Sequence, residues 1–346
     1  MKDRKIPIAN IYYLLCYAWS HAEERDIVRL EEIEGLKRIH DLLAWVLAKG
    51  TFRLIRRGIN RDYREVCEDL AGIRGKIMMG QTVKRVLRAR GQVACEFEEL
   101  SHDVLHNRIL RSTLRSLQRL PDLHKDVRIE IHKAYVKLQG IREVPLNRKL
   151  FQQVQLDRNR RIYRFLLSIC RLVHEQLLVD EKAGDARFND FSEEKLAKLF
   201  ESFVIEFYRH ELHDYQVNHS GRVIKWDDDG TRDDQRSMIP KMEADVILEG
   251  SKRRIILDTK FYQEALGGRV GGKLRSNHLY QLLAYLRNRE VTVKPGPRHE
   301  GILLYPVVNA QLNIDVCLEG FDIRARGIDL AQEWHNIRTN MVKVIE

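Results

Sequence analysis

The stretch "PKMEADVILEGSKRRIILDTKFY", residues 240–262, decides how this 346-residue chain is read. "ADVILEG" and "RRIILDTK" are apolar runs joined by a short turn at Gly250–Ser251–Lys252, the pattern of two neighbouring strands. Ile255, Ile256 and Leu257 form an unbroken apolar run, as in a central strand covered on both faces. Asp258 and Lys260 stand two apart on that strand, so their side chains project to the same side. Asp245 falls on the neighbouring strand. A matching register then brings two carboxylates and one ammonium together where the sheet ends.

Two ionised carboxylates at close quarters need a cation between them. Oxygen ligands with water completing the shell suit Mg²⁺ or Mn²⁺, and the carbonyl of Thr259 offers a further oxygen. A lysine beside such a cation stabilises charge building on a scissile phosphate or orients the attacking water. These are the parts of a phosphodiester hydrolase. The bland reading of the same residues is a pair of strands with charged ends, which a chain this rich in charge supplies readily.

Two further features bear on the choice. Glu201, in "KLFESFVIEFY", is a helix carboxylate just ahead of the strands, either an added oxygen for the cation or a solvent-facing glutamate. In "SNHLYQLLAYL" Ser276 reads as an N-cap, and Gln281 and Tyr285, four apart, share one helical face. There they hold the lysine and a DNA phosphate, or Tyr285 simply packs in the core.

Composition sets the frame. Charged residues make up 32% and hydrophobic ones 44%, which is a folded, globular balance. A net charge of +10 and a pI near 9.3 favour a polyanionic partner. The cysteines, Cys16, Cys67, Cys95, Cys170 and Cys317, are scattered without a C-x-x-C pair. That spacing argues against a zinc ribbon or a disulfide framework and fits a reducing cytoplasm. With no apolar run of about 18 residues, no membrane span is expected. The opening "IPIANIYYLLCYAW" imitates a signal peptide, but Ile11, Leu14, Leu15 and Ala18 recur at helical spacing and predict a buried first helix.

Along the chain, helical patterns fall at 9–20, 35–49 and 104–119, with a basic helix "QTVKRVLRAR" at 81–90. "RLIRRGINRDYREV", "LAGIRGKIMMG" and "DVRIEIHKAYVKL" read as strands or hairpins. A seam near Pro145 divides a mixed α and β domain, 1–150, from a second domain, 151–346. The second holds two long helices, strands at 244–249 and 253–260, a helix at 277–288, and strands in "GILLYPVV" and "LNIDVCLEGFDI". That order predicts an α/β sheet flanked by helices. "GGRVGGKL", residues 267–274, nearly spells a phosphate-cradling P-loop, but Leu274 offers no hydroxyl for Mg²⁺, so this chain is expected to bind no nucleotide. Its Arg269, Lys273 and Arg275 are better placed for a DNA backbone.

Asp245, then Asp258–Thr259–Lys260, then Gln281-x-x-x-Tyr285 resembles the PD-(D/E)xK nuclease superfamily in its RecB-like branch. More narrowly, "IPIANIYYLLCYAW", "GIRGKI", "NRILRSTL", "IPKMEADVIL", "LDTKFY", "NHLYQLLAYL" and "GILLYP" resemble, in that order, the McrC family of modification-dependent restriction systems. The resemblance spans nearly the whole chain. It implies a restriction-endonuclease-like C-terminal domain with Asp245 and Asp258 as metal ligands and Lys260 as catalytic lysine. It also implies Gln281 and Tyr285 in support, with Glu201 a less fixed member because glutamine replaces the helix acid in some relatives. The proline that names the motif is displaced, since Ala244 precedes Asp245 and Pro240 lies five residues upstream. The family further implies a hexameric McrB-like AAA+ GTPase partner that reads modified cytosine in double-stranded DNA and hydrolyses GTP. The N-terminal domain would dock on that ring and stimulate it, with Arg74 and Lys76 as candidate contacts. Two other functions remain open on the residues alone: an activator whose nuclease site has decayed, and a stand-alone RecB-like repair nuclease.

Overall fold

The computed structural model describes residues 6–21, 27–28, 30–33, 35–157, 159–179, 186–188, 191–217, 222–227, 230–261, 274–293 and 296–346. Two compact units result: Met1–Arg38 with Asp190–Glu346, and Ile39–Asn189. The expected boundary at 150 is therefore replaced by two crossings, and helix packing explains both. Helix α1 (Ile8–Ala18), followed by the short α2 (Leu30–Ile33), packs on α9 (Glu193–Glu211). Helix α8 (Arg161–Gln176) packs instead on α3 (Ile39–Arg57) and α5 (Leu105–Gln118). Each segment goes where its apolar stripe is covered.

The Ile39–Asn189 unit gathers α3, α5, α6 (Lys125–Lys137) and α8 around buried residues such as Leu43, Leu47, Leu110, Leu114, Ile131 and Leu166. The strand reading of 126–138 is corrected here to helix α6. Val127, Ile129 and Ile131 do alternate, but the buried set is Val127, Ile131, Ala134 and Leu138, while Ile129 and Val136 face solvent. Helical spacing wins because α6 covers α3 and α5 along one stripe. The basic stretch 81–90 is likewise split into α4 (Met79–Lys84) and a 3-10 turn Leu87–Arg90, separated by Val86 at φ 54°. An antiparallel sheet of β1 (Asp62–Leu70), β3 (Val93–Ser101) and β2 (Lys76–Ile77), in that order, stands on this bundle's chain. The helix α7 (Arg148–Gln153) and a hairpin of β4 (Leu177–Val179) and β5 (Ala186–Phe188) complete the unit.

Gly75, between β1 and β2, shows why the "GIRGKI" stretch is built as it is. Its φ is +67°, and a Cβ there would lie 2.4 Å from the Glu96 carbonyl oxygen. Both the left-handed backbone and the clash with main chain are intolerant of a side chain. Gly75→Ala is expected to lower stability by about 2 kcal/mol or more, read as an earlier denaturant midpoint.

The other unit is organised by one six-stranded sheet in the order β12 (Asn313–Leu318), β13 (Phe321–Asp329), β11 (His299–Val307), β10 (Arg254–Thr259), β9 (Val246–Gly250), β6 (Tyr215–Val217). β10–β11 and β11–β13 run parallel; the remaining pairs are antiparallel. The expected single strand "LNIDVCLEGFDI" is a hairpin, since Glu319 (φ 51°) and Gly320 (φ 74°) form a tight two-residue turn. The pleat divides the core. Val246, Leu248, Ile255, Leu257, Ile302 and Leu304 pack under α1, α9 and α12 (Trp334–Lys343). Ile247, Ile256, Leu303 and Tyr305 pack under α11 (Ser276–Thr292). A small ladder of β7 (Val223–Ile224) and β8 (Met242–Glu243) leads into β9, and α10 (Asp233–Arg236) lies between them in sequence. At Gly301 of β11 a Cβ would come 2.8 Å from Leu282, so α11 sits close on the sheet at this point. Among the described residues no helix is long and apolar enough to cross a membrane.

Candidate active site

Asp258 continues the parity of Ile256, so it emerges on the α11 face at the carboxyl end of β10, opposite Leu303 of the parallel strand β11. Its carboxylate is buried, at 2% exposure. Lys260, two residues on, has its backbone N–H bound to the Leu304 carbonyl at 2.8 Å, which holds the chain in the sheet past the last strand residue. Its ammonium turns back onto Asp258 as an ion pair and donates 2.7 Å to Gln281 Oε1. Gln281 Nε2 donates to the Tyr285 hydroxyl at 2.7 Å, and that hydroxyl donates to the Glu243 carbonyl at 3.0 Å. One hydrogen-bonded line thus runs from a buried acid, through a lysine, to a helix anchored on the neighbouring ladder.

Asp245 lies at the bend between β8 and β9, not within a strand as the sequence suggested. Its Oδ2 accepts from the Thr259 backbone N–H at 2.7 Å and the Thr259 hydroxyl at 2.6 Å. The two carboxylates therefore meet across Thr259. Burial, first, and the Asp245 charge, second, push the Asp258 carboxyl up to about 6, against the pull of Lys260. Apart from its ion pair with Lys260, Asp258 Oδ2 meets no hydrogen-bond donor among the described residues. A buried carboxylate whose charge is met by one ammonium alone, next to a second carboxylate, fits a divalent cation held by Asp245, Asp258 and the Thr259 carbonyl.

Glu201 is not brought into that pair. Its Oε1 accepts from Arg222 Nη1 at 2.7 Å, and among the described residues no three His, Cys, Asp or Glu side chains gather to hold a metal. Arg222 also reaches Glu243, Nη2 to Oε1 at 3.0 Å. Ser276 is the first residue of α11 rather than its cap; Arg275 takes the cap position and makes no side-chain cap bond. Residues 267–273 of the glycine-rich segment, with Arg269 and Lys273, lie outside the described residues.

Sequence reasoning missed Arg222, His278 and Tyr305. His278, three residues before Gln281 on the same face of α11, is buried and shares a 2.8 Å hydrogen bond through Nδ1 with the Tyr305 hydroxyl. Burial, then the Lys260 and Arg275 charges, lower its imidazole to about 4, so it is neutral at pH 7. Its place in "SNHLYQLLAYL" was the available signal. Arg222 had none, because a polar stretch separates it from every motif.

The molecule is thus a mixed-sheet α and β protein with an acid–lysine centre at the carboxyl end of its sheet, the usual place for a site in such folds. A family model described as "McrBC 5-methylcytosine restriction system component" matches residues 10–306. The chain is 33% identical over 351 residues to the "Type IV methyl-directed restriction enzyme EcoKMcrBC" of Escherichia coli (strain K12), covering 100% of this chain and 99% of that protein. Its fold is similar, with a TM-score of 0.57 at 17% identity, to a chain in the "Refined half-complex from tetradecameric assembly of Thermococcus gammatolerans McrB AAA+ hexamers with bound McrC", over 95% of this chain and 75% of that one. This chain belongs to the family of McrBC 5-methylcytosine restriction system components.

Proposed function

We propose that this chain is the McrC-like nuclease subunit of a modification-dependent restriction complex. A PD-(D/E)xK-type centre at Asp245, Asp258 and Lys260 hydrolyses phosphodiesters of double-stranded DNA carrying modified cytosine. A hexameric McrB-like AAA+ GTPase supplies recognition and GTP hydrolysis. The observation that carries this reading is the line Asp258–Lys260–Gln281–Tyr285 with Asp245 beside it on Thr259. The name of the Escherichia coli relative supports restriction, and the McrB hexamers in the similar assembly support the ring partner.

Asp245, Asp258 and the Thr259 carbonyl would hold Mg²⁺ or Mn²⁺, which supplies Lewis acidity toward phosphate oxygens and acidifies water. The protein's own part is positioning and charge. Of the three Lys260 N–H donors, one is spent on Asp258 and one on Gln281 Oε1, which leaves the third for a phosphate oxygen. Because Gln281 is itself held by Tyr285, and Tyr285 by the Glu243 carbonyl, the ammonium is fixed before substrate arrives. The net charge of +10 favours DNA approach.

The Ile39–Asn189 unit exposes single apolar side chains, among them Tyr63 on β1, Ile73 after it, and Val83 and Val86. We place docking of the GTPase on this unit because the candidate contacts Arg74 and Lys76 belong to it. Arg74 and Lys76 have structural work there as well: Arg74 lies 4.0 Å above the Phe97 ring, and Lys76 is 3.6 Å from Glu96.

The decisive experiment uses supercoiled plasmid bearing 5-methylcytosine, this chain, its cognate GTPase, GTP and Mg²⁺. Cutting is expected only when all are present, and EDTA stops it. Stimulated GTP turnover without any cutting would make the chain an activator; cutting without the GTPase would make it a stand-alone nuclease.

A further inference from the structure

Arg222, at the entry to β7, brings a second positive charge to the acidic centre. Its Nη1 donates to Glu201 Oε1 at 2.7 Å, its Nη2 lies 3.0 Å from Glu243 Oε1, and Nη1 comes within 3.5 Å of the Asp245 carbonyl oxygen. Its own carbonyl accepts the Ala244 N–H at 3.0 Å, so the Arg222 main chain is held beside the residue preceding Asp245. The side chain is 20% exposed and that of Glu201 33%. The negative charge of Glu201 is felt at Asp258, whose carboxyl it helps to raise, although the Glu201 oxygen is turned onto Arg222.

We propose that Arg222 is the internal counter-cation of this centre: it holds Glu201 while no divalent ion is bound, competes with that ion for the carboxylate, and so sets the metal affinity. The inference rests on the reading of Asp245 and Asp258 as a metal site. Two features make the exchange possible. Releasing Glu201 does not strand the guanidinium, because Glu243 remains on its other nitrogen. Glu201 is carried on α9, whose Phe200, Phe203 and Val204 are packed in the core, so only the outer bonds of the glutamate need turn. Arg222 is a positioning residue in this scheme and touches no substrate.

The test is calorimetric titration of Mn²⁺ into the full-length chain, without DNA or nucleotide. Wild type is expected to bind, and Asp258→Ala to lose binding. Arg222→Gln is expected to bind about tenfold more tightly, because a nearby positive charge is gone and Glu201 is released. Adding Glu201→Gln to that variant returns the affinity to near the wild-type value. If circular dichroism shows Arg222→Gln unfolded, Arg222→Lys is read instead; it keeps the charge but not the fork spanning two acids, and about two- to threefold tighter binding is expected. Unchanged or weaker Mn²⁺ binding in the folded Arg222 variant, with Asp258→Ala still silent, overturns the role of Arg222 and leaves the metal site standing. Mn²⁺ binding that Asp258→Ala does not alter overturns both.

Discussion

Asp258→Ala is expected to lower cleavage of modified DNA by about 10³-fold or more, and to leave stimulation of the partner's GTP turnover within about twofold of wild type. The first half follows from what one carboxylate does at the end of β10. It is buried beside Asp245, it is one of the two acids that fit a divalent ion, and it is the counter-ion that draws the Lys260 ammonium inward. On the proposed reading, removing it takes away one carboxylate of the cation site and lets the lysine drift, two losses that act on the same step and do not add. The second half follows from location. Asp258 and the candidate ring contacts Arg74 and Lys76 belong to different compact units. Asp258→Asn keeps the volume and removes the charge, so it separates electrostatics from packing, and its activity should fall with that of the alanine variant. Comparable melting temperatures for the three proteins make the comparison clean. Cutting by Asp258→Ala at even a tenth of the wild-type rate would sink the assignment.

Why this centre was legible in sequence, and its surroundings less so, is a matter of separation along the chain. Asp258 and Lys260 are two apart on one strand, and Gln281 and Tyr285 four apart on one helix, so backbone geometry alone puts each pair on a common face. The apolar run Ile255–Leu257 announced a central strand, and β10 does lie between β9 and β11. Arg222 is 21 residues from Glu201 and meets it only in the folded chain, a contact that no periodicity reports. The same cause explains the two-unit division: α1 packs on α9, nearly two hundred residues away in sequence, and Tyr17 donates to Glu211 at 2.7 Å. In α6 the local signal pointed the wrong way, since alternation in "DVRIEIHK" fits a strand until Ala134 and Leu138 are counted on the stripe. At 81–90 a pattern suited to one helix is broken by the left-handed Val86, a conformation a β-branched residue takes only when its surroundings hold it there.

The largest stability effect is expected at Asp103, in the unit without the candidate active site. This carboxylate, 10% exposed at its side chain, collects five donors. Arg108 gives Nε at 2.7 Å and Nη2 at 2.8 Å, Arg142 gives its backbone N–H at 2.9 Å and Nε at 2.7 Å, and Arg64 gives Nη1 at 3.2 Å. Three separate pieces of chain are tied by it: β1 through Arg64, α5 through Arg108, and the segment after α6 through Arg142. Burial by itself raises the Asp103 carboxyl, but the hydrogen bonds from Arg108 and Arg142 outweigh it and hold the group well below the usual carboxylate range. Asp103→Ala should cost about 3 kcal/mol, a sum dominated by Arg108, since the Arg64 and Arg142 side chains are 45% and 58% exposed and water takes over much of their pairing. The pH dependence carries the sign. With the folded-state value lowered, the folded protein binds fewer protons than the unfolded chain, so the contribution is fully present at neutral pH. It is lost as pH falls below about 4, the unfolded-state value, toward the lower folded one. Thermal melts of wild type and Asp103→Ala should therefore differ most near pH 7, with the gap starting to narrow below about pH 4 and closing only at more acid pH, and a gap that does not narrow between pH 7 and pH 2 would show that Asp103 acts by packing rather than by charge.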